Sequence, residues 1–546
     1  MSHRLSTLML ACVLAASSAP AASAQSAAGA QLLPGMGSYS HPIRTTSREA
    51  QQYFDQGLAL LYNFNHAEAE RSFLKAADLD PAAPMPWWGV GITLGLNYNR
   101  DVAKLEGDRL KRAYDAAHKA VTLSRGGSPV EAALAEALTM RYSMDPAADP
   151  SALNQRYRAA MADVHRRFPD DPEVATMYAD AMMNLRPWEL WSLEGQPAAD
   201  TLELVSVLET VLRRYPNHPG ANHYYIHAVE ASPTPERALA SAARLETLVP
   251  GAGHLVHMPT HIYMHTGDLD RIAPLNQKAA DADEHYFSLA SPEGVYPFMY
   301  YAHNLHFVVV GHLATGRYDD SRAAAEKMAD LAAPHVAEMA PMAEWVIALP
   351  TLVDVRFQKW DAILAAPKPP ESQTLSRAFD SYARAVALQM TAKRTEASAA
   401  AAAFEADRAK VKDEMLVVSF NSGPTVLAVL SELLKAQMAP DLVGAEPHFK
   451  AAIAGQDAFH YDEPAPIPWS VRESYGAALL ASGRAVEAEQ VFRADLGRNA
   501  RSGRSLFGLM TSLEAQGRKD EAALVRQEYE NAWRLALSPM TVDALR

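Results

Sequence analysis

A chain of 546 residues, 49% of them hydrophobic and 21% charged, is too long for one compact globular core, whereas a solenoid has no such limit because each repeat packs only on its neighbours. Its net charge of −14 argues against nucleic acid and anionic membranes as main partners. No apolar run beyond the first residues approaches the ~18–20 residues of a membrane span.

Residues 1–24 read as an export signal. Arg4 supplies the positive charge, residues 5–16 are largely apolar, and Ala22, Ser23 and Ala24 form a small-residue cleavage site before Gln25. Met9, Leu10 and Ala11 fit lipid attachment at Cys12 poorly, and the apolar run continues past that cysteine. Cleavage removes the single cysteine, which suits an oxidising compartment and excludes disulfides and thiolate ligands. Loss of Arg4 takes the net charge from −14 to −15. The expected location is outside the cytoplasm, periplasmic or secreted.

Residues 25–45, rich in Ala, Ser and Gly, form a flexible leader. Helical repeats are expected over 46–217. With Gly57 at position 8 of a 34-residue frame, Leu60, Ala69, Phe73, Ala76 and Pro81 fall at positions 11, 20, 24, 27 and 32. A tetratricopeptide hairpin places small, packing and terminating residues there: Gly57 and Ala69 let two helices approach, and Phe73 fills the next gap. Trp87 and Gly91 take positions 4 and 8 of the following helix, whose partner departs from the template across 97–106. Further helices are predicted over 105–141, 153–167, 173–185 and 202–214.

Residues 218–335 form a central block of histidine repeats, with an insertion at 287–301. It holds NHYYIHAVE (222–230), GHLVHMPTHIYMH (253–265) and YYAHNLHF (300–307). His223 and His257 are 34 residues apart, as are His227 and His261. Hairpins continue over 336–460. Residues 461–546 combine an extended segment, YDEPAPIPW, whose three prolines leave no room for a helix, with a regular pair in which Gly483 and Gly517 are again 34 apart. The expected fold is all-α: a tetratricopeptide-like solenoid of helical hairpins coiled as a right-handed superhelix.

FNHAEAERSF (64–73), PMPWWG (84–89), the GHLVHMPTHIYMHTGD run, YAHNLHF and YDEPAPIPW together resemble a group of exported bacterial tetratricopeptide proteins. The resemblance spans nearly all of the mature chain, and HMPTHIY is its most specific mark. It implies a fold and a compartment but no reaction. Resemblance to tetratricopeptide proteins also implies a concave groove lined by positions 2, 5, 9, 12 and 13 of each first helix. On that frame His223, His227 and Glu230 take positions 5, 9 and 12; His254, His257, His261 and His265 take 2, 5, 9 and 13; His303 and His306 take 2 and 5. Trp88 at position 5 faces the groove, and Trp87 at position 4 the core.

Eleven of the nineteen histidines lie between His218 and His312. One histidine on a helix is usually structural, but several on one face have no packing advantage over leucine. Pairs at i, i+4, as in His223/His227 and His257/His261, can give two ligands to one metal. The candidate ligands are His223, His227, His257, His261, Glu230, His254, His303 and His306, with zinc or copper the expected ion. Glu230 and Glu284, with histidines nearby, are candidate bases toward a metal-bound water. Arg186, Trp188 and His265 are expected to line the groove, although a cation at the helix C-terminus accounts equally for His265. Pro259 implies either a late helix start near His257, the blander reading, or a kink. Two functions follow: a metalloprotein, hydrolytic or redox, or a non-catalytic scaffold whose groove takes a peptide, protein or small molecule.

Overall fold

A computed structural model describes residues 30–99, 107–291 and 296–546. The export signal read over 1–24 lies outside them. The described residues are helical almost throughout. The strands among them are the two-residue pair Leu416–Val417 and Asn421–Ser422, antiparallel with Leu416 opposite Ser422.

Two compact units divide the chain, one within 30–262 and 278–304 and the other of 263–277 and 305–546. In the first, the Arg48–Tyr62 and His66–Leu79 helices pair as a hairpin. Ser47 opens the first helix by accepting from the Ala50 amide at 3.1 Å, and Asn65 opens the second by accepting from Glu68. Phe73 is fully buried between two glycines. A Cβ added at Gly57 or Gly89 would stand 2.5 Å from its ring, so only glycine lets both helices close on it. Further hairpins follow from Gly107–Ser124 with Pro129–Thr139, Pro150–Arg167 with Pro172–Met183, and Thr201–Arg214 with Pro219–Val229. This is the helical-hairpin stacking that the 34-residue period predicts.

The second unit repeats the device. Phe492 is fully buried, and a Cβ at Gly476 or Gly508 would stand 2.4 or 2.2 Å from its ring. Both triplets have sixteen-residue steps, so one spacing builds the helix crossing in each unit. The Val471–Ala481, Ala485–Leu496, Gly503–Ala515 and Lys519–Ala532 helices form the last two hairpins, turned by Gly483 and Gly517 at φ +76°. The proline-rich segment before them is non-helical, as predicted, and Asp462 anchors it by accepting from the amides of Ser419 (3.1 Å) and Phe420 (2.9 Å).

The expectation that no later stretch reaches membrane length is corrected here. By length and composition Tyr318–Arg356 could cross one. It is a composite of the Tyr318–Ala332 helix, a 3-10 turn Ala333–His335 and the Val336–Arg356 helix, which bends at Met339. The core helix of a compact fold meets the same criterion, and 44% of the most apolar window is buried inside the fold. Within it Glu344 is buried and accepts from the Leu375 amide at 2.7 Å, in the first turn of the Thr374–Met390 helix.

Candidate metal centre

The Pro219–Val229 helix begins on a proline, with the His218 Nδ1 accepting from the Ala221 amide at 3.2 Å. Gly220 lets it press on Tyr62, whose ring a Cβ there would meet at 2.3 Å. That approach brings the Tyr62 carbonyl to 2.6 Å from His223 Nδ1, which donates to it. One turn later His227 Nδ1 lies 2.7 Å from Glu230 Oε1. The other carboxylate oxygen, Oε2, lies 2.6 Å from His261 Nδ1. A carboxylate only accepts, so both rings carry their proton on Nδ1 and present Nε2 as the donor atom.

The next histidines come from a broken helix. Gly253–His257 and Pro259–Thr266 are separate helices meeting at Met258, because Pro259 has no amide to continue the ladder. A late start near His257, the blander sequence reading, is therefore corrected: the helix begins at Gly253, and the proline interrupts it between His257 and His261. Space fixes that beginning, since a Cβ on Gly253 would lie 2.2 Å from Asp283 Oδ1. Asp283 accepts from Tyr296 (2.8 Å) and Asn304 (2.8 Å), and burial pushes its carboxyl up to about 7. Asn63 ties the same turn down, accepting from the Leu255 amide at 3.1 Å.

Across the break, His257 Nε2 and His261 Nε2 are 2.7 Å apart. His303, on the Tyr296–Ala314 helix, brings its ring to 4.7 Å from His257 and 5.8 Å from His261. That helix starts at 296, inside the segment read from sequence as an insertion. Three groups of donors result, each with its ligand atoms within 4.8 Å of one another: His223, His227 and His254; His257, His261 and His303; His227, Glu230 and His261. All are buried except His303, which is half-buried.

The cluster is buried, and two of its rings are held away from the charged form. Burial first, then repulsion from neighbouring imidazoles, holds His223 and His254 well below the usual histidine range. His223 Nε2 and both ring nitrogens of His254 are buried without a hydrogen-bond partner. Leaving three such atoms unsatisfied is costly in a protein interior unless something else satisfies them.

Four aromatic side chains wall the site. Phe64, in the left-handed region at φ +55°, leaves the first hairpin turn and brings its ring to 4.7 Å from His223 and 5.4 Å from His254. Tyr98 and Trp188 stand 5.2 and 5.7 Å from His227, and Tyr300 stands 4.8 Å from His254. Trp188 also donates to Asn99 at 3.1 Å. Of these the sequence pointed only to Trp188. An aromatic residue at a hairpin turn between two asparagines was the available signal for Phe64.

The histidines are buried among these aromatic rings, and the residues read from sequence as groove lining are placed as follows. Trp88 is fully buried and Trp87 half-buried with Lys119 Nζ 3.5 Å from its ring centre, the reverse of the predicted facing, because the Met85–Leu94 helix is apolar nearly all round. Arg186 is exposed. Glu284 accepts from Tyr301 at 2.7 Å and belongs to none of the three groups. His265 and His306 fall in the other unit and in none of these groups. His265 Nε2 lies 2.9 Å from the Tyr461 hydroxyl, and His306 packs at 4.9 Å against Trp345.

No family model matches the chain, and no curated protein matches it. Solved structures do. A human IFIT1 dimer with m7Gppp-AAAA is 13% identical with a TM-score of 0.30, covering 91% of this chain and 92% of that one. A human IFIT1 dimer with PPP-AAAA is 12% identical at the same score and coverage, and a monomeric IFIT1 mutant with Gppp-AAAA is 12% identical at 0.30 over 90% and 92%. At a TM-score of 0.30 the likeness carries no argument about what this chain binds. The exclusion of nucleic acid made from net charge is withdrawn; m7Gppp-AAAA, PPP-AAAA and Gppp-AAAA are what the matched proteins are solved with, and are said of those proteins alone. The charge of a whole chain does not fix what a local surface accepts.

Proposed function

We propose that this chain is a transition-metal protein whose ion is held by the buried histidines of the 30–262 and 278–304 unit. The observation that carries the reading is the unsatisfied nitrogens of His223 and His254, set within one cluster of imidazoles. A buried site walled by aromatics gains nothing from unsatisfied imidazole nitrogens, whereas coordination to metal satisfies them. Neutral imidazoles suit zinc and copper. Zinc would supply Lewis-acid polarisation, and copper one-electron chemistry. The protein's own part is to bury the site, to keep His223 and His254 neutral, and to fix two further rings through Glu230, the candidate base.

Export completes the proposal. It is supported by the charged, apolar and small-residue pattern of 1–24, and by the resemblance of GHLVHMPTHIYMH to exported bacterial tetratricopeptide proteins.

The test is metal analysis of the full chain purified without chelator, beside His227→Ala/His261→Ala, with circular dichroism to verify the fold of both. We expect at least one ion per wild-type chain and a loss of tenfold or more in the variant. Wild-type protein that takes up no metal after incubation with zinc or copper would overturn the reading.

A further inference from the structure

We infer that the cluster holds two ions rather than one, the first on His223, His227 and His254 and the second on His257, His261 and His303. This rests on the metal reading above and deepens it. Six imidazoles exceed what one four-coordinate ion can use, and they fall into two groups of three with no residue shared. The groups adjoin: the ring of His254 is 5.5 Å from that of His257, and the ring of His227 is 5.7 Å from that of His261.

A single central ion would have to use the third group, His227, Glu230 and His261. There the hydrogen-bonding pattern points elsewhere. Both Glu230 oxygens are engaged by the Nδ1–H groups of His227 and His261, at 2.7 and 2.6 Å, one from each three-histidine group. The carboxylate therefore braces one ligand of each ion and sits between them, where its charge offsets part of theirs. His257 Nε2 and His261 Nε2, 2.7 Å apart, must open only slightly, since two nitrogens tetrahedrally bound at ~2.1 Å stand about 3.4 Å apart.

Each three-nitrogen ion keeps a coordination position for water or a small anion. Two cations against one carboxylate leave the pocket positive, so a small anion is the favoured exogenous ligand.

Equilibrium dialysis of the full chain against zinc, after chelator removal, reads the stoichiometry directly. The expected result is two ions per wild-type chain, with His223→Ala/His254→Ala and His257→Ala/His303→Ala each keeping one. A wild-type stoichiometry of one overturns the two-ion inference and leaves the metal reading standing. Zero overturns both. The wild-type count needs no variant to fold, and cobalt substituted for zinc gives a second readout: absorbance that rises through two equivalents if the inference holds and saturates at one if it does not.

Discussion

Glu230 is where the site's geometry depends on a single side chain. Its two oxygens hold His227 and His261 by Nδ1, which sets the tautomer and aims each Nε2. Carboxylates that hold the far nitrogen of a ligand histidine in this way change metal affinity by ~10–100-fold when altered. Glu230→Gln, which keeps the shape but can accept through only one atom, is expected to weaken zinc binding about that much with an unchanged far-UV spectrum, measured by competition with a chromogenic chelator. An unchanged affinity would mean the brace is inert. The histidines themselves were legible in the sequence, because a helical period puts i and i+4 on one face and a 34-residue period brings successive repeats together. Phe64, Tyr98 and Tyr300 were not, because they reach the cluster across long chain separations that no local spacing encodes.

At the scale of elements, the site depends on two helices placed by steric exclusion and one helix deliberately cut. Gly253 admits Asp283 where a methyl group has no room. Gly253→Ala is expected to cost ~1–3 kcal/mol, as overpacking in a closed core does, and to lower the midpoint of chemical denaturation. Gly57→Ala, against Phe73, belongs to the same class and size of effect. A midpoint unchanged in both would show that the crossings yield more easily than their packing implies. The hairpins were readable because small residues, turn glycines and prolines recur on the repeat. The break at Pro259 was readable only as an ambiguity: a proline fits the first turn of a new helix as well as a kink, and packing of Gly253 on Asp283 decides between them. The burial of Trp88 was not readable for a related reason, since repeat position says which way a side chain points but not how its neighbours cover it.

Over the whole molecule, the all-α hairpin architecture follows from the repeat, while the division into two units does not, because the period continues on both sides of it. Net charge, being a sum over the chain, does not decide the question of nucleic acid. His306 contributes to the acid sensitivity of the second unit. His306 is buried on Trp345, and desolvation pushes its pKa down to about 3. The unfolded chain takes up this proton near ~6.5 and the folded chain refuses it, so the stability tied to neutral His306 is complete above ~6.5 and falls away as pH drops from there toward 3. His306→Leu should flatten the dependence of unfolding free energy on pH between 6 and 4 by about one proton, or ~1.4 kcal/mol per pH unit. An unaltered slope would show that His306 is protonated in the fold.

The central claim is that metal occupies the buried histidines, and anomalous diffraction from crystals grown with zinc tests it at atomic position. Data on either side of the zinc edge should give strong peaks enclosed by His223, His227 and His254 and by His257, His261 and His303. Peaks confined to surface carboxylates, with the cluster blank in protein saturated with zinc, would contradict the account.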